Sequence, residues 1–113
     1  MTPKRKPHHR SVPPAKIDEM IEEATVDAYG ESEQVTGFFT LLEEQLKRPF
    51  KTEMLGVEVT VVQLNMTDDE QIVAVCSRGK SRQRIPILDL PLPNPPPEGW
   101  EWIEAFRHWG RGR

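Results

Sequence analysis

Between positions 17 and 46 the chain carries Asp18, Glu19, Glu22, Glu23, Asp27, Glu31, Glu33, Glu43 and Glu44, and not one Lys or Arg. Exposed helices normally interleave acids with bases four residues apart, because opposite charges at that spacing stabilise a helix and like charges destabilise it by similar amounts. A stretch that forgoes this support is compensated by something else: a bound cation, a basic partner or the chain's own basic tail. Carboxylates are hard oxygen ligands, and the hard cation that tolerates flexible, irregular sets of them is Ca²⁺. Mg²⁺ demands a tight octahedron and keeps its waters. Zinc is disfavoured, since no His or Cys lies close in sequence to these acids. The EF-hand spacing D-x-[DN]-x-[DN]-G is absent, so a calcium site here is of another kind.

The densest candidate is the joint around Gly30, where Asp27 and Glu31 flank a predicted helix end, Glu23 lies one turn earlier and Glu33 just beyond. The last carbonyls of a helix have no intrahelical partner and can point at an ion. If the helix instead runs through Gly30, then Glu23, Asp27 and Glu31 share a face at i, i+4 and i+8. The plain alternative is capping by Asp27 and a snorkelling Glu31. A second candidate is the acidic turn Asp68-Asp69-Glu70, whose plain alternative is a solvated loop.

A rival use of the chain rests on Arg78, Lys80, Arg82 and Arg84, which alternate and would project from one face of a strand. With the basic segment at the N-terminus they outline a small binding module for nucleic acid or a protein partner. Basic residues also guard edge strands against aggregation, which is the simpler account. Nucleic acid is disfavoured, because no aromatic pattern of the RNA-binding type accompanies the charges and the acidic block repels phosphate.

Catalysis finds no foothold. Cys76 is the sole cysteine and sits in the apolar run Ile72-Val73-Ala74-Val75-Cys76, and His8, His9 and His108 lie near the ends of the chain. A buried small hydrophobe explains Cys76, and no phosphate loop or triad pattern is present, so no enzyme is expected. Absence of a disulfide, of a membrane span and of an apolar stretch behind the basic N-terminus makes a cytoplasmic location the expectation.

The elements that must position these residues follow from periodicity. Residues 1–16 read as a disordered basic arm, and residues 17–113 as one α+β domain. Ile17, Met20, Ile21, Ala24 and Ala28 form one helical stripe, and Val35, Phe38, Phe39, Leu42 and Leu46 a second in phase with it, so residues 17–48 hold two acidic helices with a break at 27–31. The period changes to two at Val57, Val59 and Val61, a first strand. Gln71 to Ser77 forms a second strand and Arg82 to Leu88 a third, with Pro86 marking an edge. The sheet is expected over 53–90, a stiff Pro-rich linker over 91–99, and a C-terminal helix over 100–110 with Trp102, Ile103, Phe106 and Trp109 on one face.

Residues 21–50 also resemble a known family. The Val26-Asp27-Ala28-Tyr29-Gly30-Glu31 core comes first, then Glu33-Gln34, Gly37 with two aromatics, the Leu42-Glu43-Glu44-Gln45-Leu46 run and Pro49-Phe50. Together these are similar to the CcbP-like calcium-binding family. Glu101-Trp102-Ile103-Glu104-Ala105-Phe106-Arg107-His108-Trp109 looks like that family's terminal aromatic helix. The resemblance implies a small α+β domain with an SH3-like antiparallel sheet, binding Ca²⁺ through acidic side chains as a cytosolic buffer or sensor.

Overall fold

Pro14 opens the first helix, at a position where its missing N–H costs nothing and its fixed φ suits the helix. The computed structural model describes residues 12–111. Helix α1 runs Pro14–Thr25 and buries Ile17, Met20 and Ala24, the expected stripe. It starts inside the segment assigned to the basic arm, and residues 1–11 of that arm lie outside the described residues.

The expected break is present, one residue earlier than anticipated, at residues 26–30. After Thr25 the backbone extends at Val26, and Asp27 adopts a left-handed φ of 63°, a conformation that short polar side chains tolerate better than most. Helix α2 then spans Glu31–Gln45 and buries Val35, Phe38 and Leu42. Continuous helix through Gly30 is therefore excluded, and with it the face shared by Glu23, Asp27 and Glu31.

Four strands follow: β1 Phe50–Met54, β2 Val57–Met66, β3 Ile72–Arg78 and β4 Ser81–Pro86. They pair as an antiparallel meander in the order β1-β2-β3-β4. Strand β1 was not anticipated. Its inward positions Phe50, Thr52 and Met54 include a polar residue, so hydrophobic alternation is diluted, and the sheet begins three residues earlier than expected. Thr52 is buried because its hydroxyl donates to the carbonyl of Pro91 at 2.7 Å. Strand β4 is the edge strand expected from Pro86, and it gives way to a 3₁₀ turn at Ile87–Asp89 instead of continuing to Leu88.

Helix α3, Glu101–Arg111, closes the core by burying Trp102, Ile103 and Ala105. Phe106 and Trp109 stack at 5.8 Å and each meets Phe38 of α2, at 5.3 and 5.4 Å. The Pro-rich segment before it is docked at its start by the Thr52–Pro91 hydrogen bond and at its close by two backbone contacts. The Lys47 N–H donates to the carbonyl of Glu98 at 2.8 Å, and Gly99 passes so close to Gln45 that a Cβ there would lie 1.9 Å from its carbonyl oxygen. The core thus lies between one face of the sheet and the three helices. The expected α+β architecture is borne out: N-terminal helices, antiparallel sheet and short C-terminal helix.

Candidate metal centre

Where α2 begins, its first N–H groups have no intrahelical acceptors, and Gly30 at the cap has no side chain to offer. Glu33 does not fill that gap: it reaches back past the cap and accepts from the N–H of Tyr29, outside the helix, at 2.8 Å. One oxygen of its carboxylate is thereby engaged beside the helix start. A cation is not favoured by a helix N-terminus alone, since the dipole there is positive. Ligands for an ion must come from a second element.

That element is the β2–β3 turn. Thr67 organises it: its N–H donates to the carbonyl of Gln71, its carbonyl accepts from the N–H of Glu70, and its hydroxyl donates to Asp69 and accepts from the N–H of Gln71. Glu70 takes a left-handed φ of 66°. Its side chain accepts a hydrogen bond of 2.6 Å from the hydroxyl of Ser32 on α2, across 38 positions of sequence. Glu31 and Glu70 line one cavity of about 320 Å³, whose wall is built from Val35, Ile72, Phe106 and Trp109.

The structure therefore regroups the acids singled out in the sequence. Glu31 from the joint and Glu70 from the turn line the same cavity, although the sequence places them in separate candidate sites. Glu23 faces a different cavity with Lys16, Glu19 and Glu101, because α1 ends before the joint. Asp68 borders a third cavity that Arg84 also lines, so a positive charge already stands beside it. All seven candidate acids are exposed, and among the described residues no three His, Cys, Asp or Glu side chains lie close enough to hold a metal as they stand. Ser32 was missed: one serine in a helical first turn carries no signal until Glu70 is seen opposite it.

The basic residues do not share one face. Arg82 and Arg84 alternate with Gln83 and Ile85, which pair with Cys76 and Ala74 on the core side. Arg78 lines a cleft with Cys76 and Gln83, and Lys80 sits in the turn between β3 and β4. Burial pushes the Cys76 thiol above its ordinary pKa, the opposite of what a nucleophile requires.

The family model described as calcium binding, Calci_bind_CcbP, matches residues 18–110. The chain belongs to the CcbP calcium-binding family. A structure described as a calcium-binding protein in its calcium-binding form superposes with a TM-score of 0.68 at 20% identity, covering 86% of this chain and 91% of that one. The crystal structure of Anabaena CcbP superposes with a TM-score of 0.66 at 17% identity, covering 88% and 92%. At these identities the likeness is one of fold. No curated protein sequence is matched. For this member of the CcbP family, the donor chemistry at the meeting of α2 and the β2–β3 turn fits the ion: carboxylates and a hydroxyl, with no sulfur or imidazole. No helix among the described residues is long and apolar enough to cross a membrane.

Proposed function

We propose that this protein binds Ca²⁺ where the start of α2 meets the β2–β3 turn, with Glu31 and Glu70 as the principal carboxylate ligands. The observation that carries the reading is the 2.6 Å hydrogen bond from Ser32 to Glu70, which joins two acidic segments far apart in the chain. One oxygen of Glu70 is oriented by the hydroxyl. A carboxylate has lone pairs enough on its two oxygens to accept that bond and still ligate an ion. Such outer partners fix a ligand's direction and commonly change metal affinity by about 10- to 100-fold. Asp69, next to Glu70 in the turn, accepts from the hydroxyl of Thr67, and Glu33 accepts from the N–H of Tyr29. The ion supplies the charge that the acidic stretch lacks, and waters complete its coordination. Calcium affinity follows the number of charged ligands and the rigidity of the site, so two carboxylates favour a weak, reversible sensor over a tight buffer.

Isothermal titration with CaCl₂ tests the reading on the wild type, Glu70→Gln and Glu23→Gln. Binding should be lost or weakened at least tenfold in Glu70→Gln and kept in Glu23→Gln. Equal affinity in all three proteins would remove the β2–β3 turn from the site.

A further inference from the structure

The core side of the sheet continues past the last residue that the helices cover. Beyond Val61, which is fully buried, Val59, Val57 and Met54 follow on the same side of β2 and β1 and are only half-buried. They floor a cleft of about 640 Å³ lined entirely by the four strands and their two hairpin turns, with Cys76 at its base and Arg78 at its rim.

At the mouth of this cleft stands Leu55. It and Gly56 form the two-residue loop between β1 and β2, with φ of 51° and 79°. Positive φ at both positions is the requirement of a type I′ turn, where Asn-Gly is strongly preferred. Leucine is a poor occupant of that position, and here its side chain is 102% exposed and makes no part of the core. Among the described residues the other non-glycine positions with positive φ are the acids Asp27 and Glu70. A large apolar side chain held out in water on an unfavourable backbone, beside an apolar cleft, contributes nothing to this fold.

Charge says what the cleft would accept. From Gln71 to Leu88 the sequence contains no Asp or Glu, and Arg78 and Lys80 lie at and next to the rim. The nearest acids on the opposite hairpin, Glu53 and Glu58, pair with each other on the far side of β1 and β2. No aromatic residue lines the cleft, so there is no platform on which a base could stack.

We propose that the cleft between the β1–β2 and β3–β4 hairpins docks a short acidic segment of a protein partner, which sets aliphatic side chains against Leu55, Val57 and Val59 and carboxylates against Arg78 and Lys80. Apolar anchors in a desolvated pocket carry most of the energy of such contacts, and the rim charges give orientation and association rate.

The test is fluorescence anisotropy with a fluorescein-labelled twelve-residue peptide of alternating leucine and glutamate, in EDTA so that calcium plays no part. The wild type should bind it. Leu55→Asn, which suits the turn and keeps the fold, and Arg78→Gln should each weaken binding at least tenfold, and a leucine–lysine peptide should not bind. Unchanged affinity in both variants, or equal affinity for the lysine peptide, would overturn the proposal. So would tighter binding of a twenty-nucleotide single-stranded RNA. A dimer on size exclusion that Leu55→Asn dissociates would assign the cleft to a second copy of the chain and overturn it as well.

Discussion

A Cβ placed on Gly37 would lie 2.0 Å from the carbonyl oxygen of Ala24. The end of α1 rests directly on the backbone of α2 there, and this contact holds the joint from Val26 to Gly30 in place. In an exposed helix, Gly→Ala gains about 1 kcal/mol of helix propensity. Here the added methyl meets backbone, and overpacking of that kind costs about 1–3 kcal/mol or more. Gly37→Ala should therefore be net destabilising by about 2 kcal/mol, read as a drop of roughly 10 °C in a thermal melt. An unchanged melt would mean that α1 does not sit against Gly37.

How much of this was legible in the sequence depends on whether the signal was local. The two helical stripes, the break between them and the aromatic face of α3 are local periodicities, and each was readable. Strand β1 was not, because Thr52 holds an inward position and is satisfied by Pro91, a partner 39 positions away. The acids were legible as a composition, and their arrangement in space was not. Glu23 and Glu31 look adjacent in sequence until α1 ends at Thr25, whereas Glu31 and Glu70 look unrelated until the β2–β3 turn folds against α2. The basic hairpin failed for a similar reason: Arg78 and Arg82 alternate in sequence, but the turn at Gly79 and Lys80 sends them to different faces.

Ser32 offers a test that leaves every carboxylate in place. If its hydroxyl orients Glu70, Ser32→Ala should weaken Ca²⁺ binding about tenfold while lowering apoprotein stability by about 1 kcal/mol or less, the worth of one exposed hydrogen bond. Calcium at a hundred times its dissociation constant stabilises a protein by about 2.7 kcal/mol. The calcium-induced rise in melting temperature should thus be clear in the wild type and smaller in Ser32→Ala at the same concentration. An identical rise would show that Glu70 needs no orienting partner.

Phe38 is fully buried and meets both Phe106 and Trp109, so it joins α2 to α3. Truncation to alanine should cost about 3–5 kcal/mol, a large share of the total stability of a small domain. Phe38→Leu retains most of the volume and loses the aromatic contacts, worth about 0.5–1.5 kcal/mol each. Urea denaturation should therefore rank the wild type above Leu and Leu above Ala. The near-UV dichroism of Trp109 should fall in Phe38→Leu even where the fold persists.

Cys76 gives the chain a pH dependence on the alkaline side. Its thiol pKa is raised above 9.0 by burial, so the folded state favours the protonated form and the unfolded state ionises first. The resulting stability is complete below pH 9 and is lost as pH rises through the folded pKa. Cys76→Ala removes the titration and leaves a small cavity. The wild type should be the more stable at pH 7, with its advantage shrinking steadily above pH 9 in parallel denaturant titrations. A constant difference across that range would mean that the thiol ionises as readily in the folded chain as in the unfolded one.

Leu55 separates stability from use. At the first position of its turn, asparagine enters the left-handed region with less strain than leucine, and removing an exposed leucine costs the fold no buried area. Leu55→Asn should raise stability by about 0.5–1 kcal/mol, in the range of other backbone-compatible replacements. That gain is the outcome expected if Leu55 serves the docking cleft and not the fold. Should Leu55→Asn instead lower the melting temperature, Leu55 is packed against the sheet in solution, and its exposure can no longer be assigned to an absent partner.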